Sequence, residues 1–148
     1  MDFEKIIQIA ELAGDAILEI YNKSGNIRIE HKGDDSPLTE ADLAAHNIIV
    51  DELKKIDDTP IVSEEGNEGD PLSSDTCWLV DPLDGTKEFI KRNGMFTVNI
   101  ALMSRKKNRW TPIFGVVHAP VSKTTWSGGV IAPSERRGPD GTGLMMVN

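Results

Sequence analysis

Two aspartates three residues apart follow a short apolar run, and a Gly-Thr pair comes directly after them. The stretch reads "WLVDPLDGT" and contains Asp81, Asp84, Gly85 and Thr86. Carboxylate oxygens without nearby sulfur are ligands that favour Mg²⁺, Mn²⁺ or Ca²⁺. A glycine at the start of a helix leaves free backbone N–H groups that suit a phosphate oxygen. The spacing therefore indicates a metal ion held beside a phosphate group.

Two further acids extend this set. Glu64 ends another short apolar stretch, "TPIVSEE", and it would meet Asp81 at one edge if the two strands are neighbours in a sheet. Three carboxylates at such an edge repel each other unless cations bind between them. Asp42 follows Thr39 in the capping-box pattern "TEAD", yet its helical position lies on the apolar face. The Thr86 hydroxyl could orient a water molecule, and Asp42 is a candidate partner for that hydroxyl.

A purely structural interpretation of the same residues stays open at this point. Asp-Pro pairs start turns, and Asp84 could cap the following helix. Glu64 and Glu65 could form a solvated strand end, and Asp42 could serve only as a helix cap. Spacing alone does not decide between these readings and the metal–phosphate site.

The elements that must position these residues are predicted from apolar periodicity. Residues 2 to about 23 and 39 to about 56 have helical spacing. The second helix is predicted to bury one face, formed by Leu43, Ile49, Val50, Leu53 and Ile56. Short strands are predicted at 60–63 and up to Asp81, and the runs 95–103 and 111–120 predict a β-hairpin with a basic tip. We therefore expect an α+β fold, a layered αβ sandwich in which two N-terminal helices pack on a mixed, largely antiparallel sheet.

Composition limits the class of protein. The chain has 148 residues, which suffice for one domain with a real core. A net charge of -8 argues against a nucleic acid polymer as partner. The N-terminus carries acids from its second residue, and no run approaches the ~20 apolar residues of a membrane span. We expect a cytoplasmic protein without a transmembrane segment.

The segment that follows the strands differs in character. From about Ser127 onward the sequence has no periodicity and is rich in Gly and Pro. Such composition predicts irregular structure. The predicted organisation is therefore a metal- and phosphate-binding αβ domain over residues 1–126 and an irregular tail over residues 127–148.

Three stretches resemble a known family. "SEE" at 63–65, "WLVDPLDGTKEFIKRNG" and "FTVNIAL" at 96–102 resemble the inositol monophosphatase superfamily of Mg²⁺-dependent, lithium-sensitive phosphatases. "DSPLTEAD" and "GTKEFIKRNG" are similar to its CysQ-type 3'(2'),5'-bisphosphate nucleotidases. The similarity runs from about residue 2 to residue 128. It implies a cytoplasmic enzyme, peripheral at the inner membrane in some relatives, that cleaves adenosine 3',5'-bisphosphate to AMP and phosphate in sulfur assimilation. Inositol or fructose bisphosphate phosphatases are the alternative within the superfamily.

The resemblance also implies roles for individual residues. Two or three Mg²⁺ ions would be bound by Glu64, Asp81, Asp84 and the backbone carbonyl of Leu83. The scissile phosphate would be bound by Glu64, Asp84, Gly85 and Thr86. Thr86 and Asp42 would pair as the catalytic residues that orient and activate the attacking water.

The sequence departs from the family in two respects. Met95 stands where relatives commonly have Glu. Relatives also have a second αβ half with a metal-binding aspartate in a Trp-Asp pair, whereas the three tryptophans here precede Leu, Thr and Ser. We expect that half to be absent and the tail to be the product of a frameshift or premature stop. Exposed apolar surface and self-association would follow. The alternative in a different functional class is a non-catalytic fragment that binds metal or phosphate without turnover.

Overall fold

The structure is a computed structural model and describes residues 1–23, 29–33, 37–139 and 143–145. Three α-helices are present in these ranges: α1 (Phe3–Tyr21), α2 (Glu40–Lys54) and α3 (Thr86–Lys91). The first strands in chain order are β1 (Ile29–His31), β2 (Pro37–Thr39), β3 (Ile61–Ser63), β4 (Thr76–Asp84) and β5 (Thr97–Lys106). They are followed by β6 (Arg109–Ala119), β7 (Thr124–Gly129), β8 (Ala132–Arg137) and β9 (Gly143–Met145).

The two long helices begin at side-chain caps. The Asp2 carboxylate accepts a hydrogen bond from the Lys5 backbone N–H at 3.2 Å and starts α1. At α2, the Thr39 hydroxyl accepts from the Asp42 N–H, and the Asp42 carboxylate accepts from the Thr39 N–H at 2.9 Å. The predicted capping box is thus confirmed, and so is the inward direction of Asp42, which is 1% exposed.

The buried face of α2 differs in part from the prediction. Three of its five predicted members are buried, namely Ile49, Val50 and Leu53. Leu43 is 40% exposed and Ile56 is 37% exposed, so the prediction is wrong for these two. Ile56 lies beyond the last helical residue, Lys54, and Ala41 and Ala45 take the inner positions instead. Small residues on the inner side allow α2 to lie close to its neighbours.

Seven strands form one mixed sheet in the order β3-β4-β5-β6-β7-β8-β9. The β3–β4 pair is parallel, and the other pairs between these strands are antiparallel. Strands β1 and β2 form a separate antiparallel pair before α2. Helices α1 and α2 share a single apolar core with one face of the large sheet, to which Trp78, Val80, Val98 and Ile100 contribute. The predicted fold class is confirmed.

The predicted hairpin is confirmed, with a tighter turn than expected. Strands β5 and β6 are joined by Lys107 and Asn108, both of which have left-handed backbone angles (φ 51° and 62°). Most of the segment that was predicted as a solvated loop is therefore strand. The basic residues lie at the end of the sheet far from the start of β5.

The strand that carries the aspartates is longer than predicted. The sequence suggested an end at Asp81, but β4 continues to Asp84 with a register shift against β5 between these two residues. Trp78 and Val80 face the helices, whereas Leu79 is 47% exposed on the opposite face. The irregular pairing explains how two aspartates three residues apart both lie at the end of one strand.

The prediction of an irregular tail is wrong for the residues that the structure describes. Ser127 lies in β7, and β8 and β9 extend the same sheet beyond it. Gly129 allows this because a Cβ atom there would lie 2.2 Å from the carbonyl oxygen of Ile113. The glycines that suggested a loop instead permit close strand packing. Arg137, the last residue of β8, joins that strand to α1 through two contacts of 2.6 Å between its guanidinium group and the Glu4 carboxylate. The domain boundary at 126/127 stays a prediction.

None of the helices in the described part of the chain is both long and apolar enough to cross a membrane.

Candidate active site

The parallel β3–β4 pair brings the first two predicted acids together. Ser63 lies opposite Val80, and the Glu64 N–H donates a hydrogen bond to the Val80 carbonyl at 3.1 Å. Glu64, directly after β3, and Asp81, within β4, therefore lie side by side at the end of the parallel pair. The expectation that the strands are neighbours and that these acids meet at one edge is confirmed.

The charges at this edge act strongly on Asp81. Burial raises the pKa of its carboxyl group to about 6, and the charges of Asp84 and Glu64 act in the same direction. Lys32 and a hydrogen bond from the Leu83 N–H oppose the rise. Asp84 and Glu64 thus both lie within electrostatic reach of Asp81, and the excess negative charge of the three acids favours a cation.

Asp42 reaches the same edge from α2. The Thr86 hydroxyl donates a hydrogen bond to Asp42 Oδ1 at 2.9 Å and lies 3.3 Å from the Leu83 carbonyl oxygen. The other carboxylate oxygen, Oδ2, accepts from the N–H and the hydroxyl of Thr39 at 2.9 and 2.6 Å. One oxygen therefore caps the helix while the other holds the threonine hydroxyl. Asp42 is thus both part of the helix cap and the hydrogen-bond partner of the Thr86 hydroxyl.

Gly85 has a conformation that suits glycine. Its φ is 96°, in the left-handed region, and an added Cβ atom would lie 3.1 Å from the Met95 carbonyl oxygen. The residue is the N-cap of α3, which begins at Thr86. A side chain here would displace the backbone that carries the Thr86 hydroxyl. The Met95 side chain is 74% exposed, and nothing in the structure gives it a role.

Two side chains at this edge were not found by sequence reasoning. Asn99 donates a hydrogen bond to Asp84 Oδ2 at 3.0 Å and accepts one from the Thr97 hydroxyl at 3.0 Å. Lys32 approaches from the loop after β1, and its ammonium group lies 2.6 Å from Glu65 Oε1. A polar residue inside the apolar run "FTVNIAL" was the available signal for Asn99. Lys32 has no comparable signal in the sequence.

The donor atoms suit a hard divalent cation. Glu64, Asp81, Asp84 and the Leu83 carbonyl offer oxygen only, which is the ligand type that Mg²⁺ prefers. Within residues 1–23, 29–33, 37–139 and 143–145, no three His, Cys, Asp or Glu side chains are already arranged to hold a metal ion. The set therefore fits Mg²⁺ in chemistry and charge, and the carboxylates would have to move together as their repulsion is neutralised.

The acids also border an apolar groove on the outer face of the sheet. The groove has a volume of about 330 Å³ and is lined by Leu79, Ala101, Gly115 and Val117 beside Glu64 and Asp81. Its floor is the face opposite the two long helices. Apolar surface of this kind beside a charged edge marks a place where another molecule or segment could pack.

Comparison with known proteins gives one consistent result. The family model described as "Inositol monophosphatase family" matches residues 3–133. The 3'(2'),5'-bisphosphate nucleotidase CysQ of Escherichia coli strain K12 is 48% identical over 127 residues, which is 84% of this chain and 50% of that protein. The crystal structure of CysQ from Bacteroides thetaiotaomicron superposes with a TM-score of 0.73 at 41% identity, covering 91% of this chain and 48% of that one.

A second solved structure is similar in fold. The extragenic suppressor protein suhB from Bartonella henselae superposes with a TM-score of 0.78 at 28% identity, over 89% of this chain and 50% of that one. The chain thus spans about half the length of the relatives that it matches. The family match also extends to residue 133, beyond the limit of residue 128 expected from the sequence.

Proposed function

Because the chain belongs to the inositol monophosphatase family, we propose that it carries the metal- and phosphate-binding part of a Mg²⁺-dependent phosphatase. The proposed substrate is adenosine 3',5'-bisphosphate, whose 3'-phosphate would be released to leave AMP. The observation that carries the proposal is the Thr86–Asp42 hydrogen bond of 2.9 Å beside three carboxylates. The substrate class is supported by the 48% identity to a protein named as a 3'(2'),5'-bisphosphate nucleotidase.

Each residue has a distinct role in this proposal. Glu64, Asp81, Asp84 and the Leu83 carbonyl would hold two or three Mg²⁺ ions, with sensitivity to lithium as in the family. When bound, Mg²⁺ would polarise the phosphate group and lower the pKa of the attacking water. The backbone around Gly85 and the Thr86 hydroxyl would bind phosphate oxygens, and Asn99 would fix the orientation of Asp84.

The proton of the attacking water would leave through Thr86. The Thr86 hydroxyl already donates to Asp42 Oδ1, so its oxygen can accept a hydrogen bond from water. Asp42 is almost fully buried, and its second oxygen is fixed by Thr39. The carboxylate therefore holds the hydroxyl in one orientation and can share the proton as the water attacks.

The test is phosphate release from adenosine 3',5'-bisphosphate in Mg²⁺ and in EDTA. We expect release with Mg²⁺ alone, and a loss of about 100-fold or more in Asp84→Asn, because this change removes a charged oxygen from the metal site. Asp75→Asn is the matched control, since the Asp75 side chain is 90% exposed and away from this edge. Circular dichroism would establish that each sample is folded.

Two alternatives have their own outcomes in this assay. A folded chain without release would identify a non-catalytic chain that binds metal or phosphate without turnover, the alternative in another functional class. Faster release from an inositol phosphate or fructose bisphosphate would assign the chain to another branch of the family. We propose a cytoplasmic location for this activity, in keeping with the proposed nucleotide substrate, and association with the inner membrane is proposed from the family resemblance alone.

We also propose that the outer face of the sheet pairs with a second copy of the chain. Leu79 and Val117 are 47% and 39% exposed there. One end of this face carries the acids of the site, and the other carries the basic hairpin tip that ends β5 at Lys106. An antiparallel second copy would set each basic tip against the partner's acids.

Light scattering after size-exclusion chromatography tests this pairing. We expect a dimer that weakens at high salt and is lost in Leu79→Ser, because the substitution removes apolar contact area from the centre of the face. Leu72→Ser is the control, since Leu72 is 70% exposed but lies outside the sheet. A wild-type chain that runs as a stable monomer would contradict the proposal.

A further inference from the structure

We propose that Lys32 is a built-in counter-ion of the acidic edge, which stabilises the metal-free protein and competes electrostatically with Mg²⁺. The residue lies directly after β1, on the segment that leads to β2 and α2. Its part in metal binding rests on the function proposed above. Its part in the metal-free protein does not.

The contact that holds Lys32 differs from a surface ion pair. The distance from Lys32 Nζ to Glu65 Oε1 is 2.6 Å, and the Glu65 side chain is only 5% exposed. The Lys32 side chain is 26% exposed, compared with 69% for Lys55 in its pair with Glu52. A shielded pair of this kind is weakened less by salt than an exposed one. The ammonium group is thereby held in a defined position.

The position is set by the site itself. Glu65 follows Glu64, and its backbone N–H donates to the Ser63 hydroxyl at 3.3 Å at the end of β3. The carboxylate that holds Lys32 is therefore fixed to the same strand end that presents Glu64. This contact holds Lys32, the residue directly after β1, toward the acidic edge.

The charges around Lys32 are those of the proposed metal site. Burial acts to lower the pKa of Lys32, whereas the hydrogen bond and the charge of Glu65 raise it. The charges of Asp42 and Glu64 act in the same direction, so the pKa lies above its ordinary value. Lys32 in turn favours the ionised form of Asp81. Lys32 thus interacts electrostatically with acids of α2, of β4 and of the turn directly after β3.

A fixed positive charge here has opposite effects in the two states of the protein. Without metal, it offsets the mutual repulsion of the carboxylates and favours the folded chain. With Mg²⁺, it repels the added positive charge and weakens binding. A unit charge at roughly 6–12 Å from a divalent ion, at the dielectric constant of water, corresponds to about a three- to tenfold change in affinity.

The experiment compares Lys32→Met with the wild type and with Lys55→Met. Isothermal titration calorimetry with MgCl₂ gives the affinity, and thermal unfolding in EDTA gives the metal-free stability. We expect Lys32→Met to bind Mg²⁺ about three- to tenfold more tightly and to unfold at a lower temperature without metal. Lys55→Met should change neither quantity, because its pair with Glu52 lies on the exposed side of α2. Unchanged or weaker Mg²⁺ binding by Lys32→Met would overturn the proposal.

Failure of the proposed function gives a different pattern. If the wild type binds no Mg²⁺, the phosphatase proposal fails, and the stability arm still tests Lys32. In that arm, Lys32→Met in EDTA should destabilise an Asp81→Asn background less than it destabilises the wild type. With Asp81 neutralised, less repulsion between carboxylates remains for Lys32 to offset. Equal destabilisation in both backgrounds would show that Lys32 acts only through packing, and would overturn its role as a counter-ion.

Discussion

Thr86→Val is expected to lower Mg²⁺-dependent phosphate release by about 10²–10⁴-fold, the range found when positioned proton transfer is removed. Valine keeps the shape of threonine but cannot donate to Asp42 Oδ1 or accept from water. The metal ligands stay in place, so Mg²⁺ affinity in calorimetry should change by less than about twofold. The loss should therefore be in kcat and not in metal binding.

Conservative and paired variants separate this role from a structural one. Thr86→Ser retains the hydroxyl and should keep most of the activity. Thr86→Val combined with Asp42→Asn should be no worse than the poorer single variant, because the two groups act as a unit. Additive losses, or an inactive Thr86→Ser that is well folded, would contradict the proposed pair.

Asp42 illustrates why local rules predicted this part of the site well. A capping box depends on residues three apart, so it can be read directly from "TEAD". Helical periodicity then indicated that the same side chain faces inward, as its 1% exposure confirms. Parallel strand ends meet at one sheet edge, so the convergence of Glu64 and Asp81 also followed from the order of short apolar runs.

The parts that were missed depend on contacts between segments distant in sequence. Lys32 meets Glu65 across 33 positions, and Asn99 meets Asp84 across 15. No periodicity encodes such pairs. Strand β8 was missed for a related reason, since its glycine-rich surroundings suggest a loop until β7 is placed beside it. The composition of a segment contains no information about its neighbours. A strand at the edge of a sheet, however, forms its backbone hydrogen bonds with the neighbouring strand.

Asp81→Asn is expected to make the metal-free chain more stable at pH 7.5 while abolishing the Mg²⁺ response. The pKa of this carboxyl is about 6 in the folded protein, against an ordinary value of 3.8. The folded state therefore binds the proton more tightly than the unfolded chain does. The free energy of unfolding of the wild type in EDTA should therefore fall as the pH rises from about 4 to 6. It should stay at the lower value at higher pH.

The size of the gain follows from the same difference. The difference between the two pKa values corresponds to at most ~3 kcal/mol in the free energy of unfolding. We expect about half of that gain, because Asp81 is only half-buried and its charge is screened by solvent. Asparagine resembles the protonated acid, so its melting temperature in EDTA should exceed that of the wild type by about 3–6 °C at pH 7.5. The advantage should vanish near pH 4, where the wild-type carboxyl is itself protonated.

Addition of Mg²⁺ should reverse the order of the two proteins. The ion would stabilise the wild type by binding the folded state, and it should leave Asp81→Asn unchanged, because an amide oxygen offers neither the charge nor the second oxygen donor of the carboxylate. Asp75→Asn, at an exposed position, should follow the wild type in both conditions. A wild type that is more stable than Asp81→Asn in EDTA at pH 7.5 would mean that repulsion at this edge is already balanced without metal. The expected result, a metal-free fold that Asp81 destabilises and that Mg²⁺ stabilises, would show that this acidic edge favours binding of the ion over stability without it.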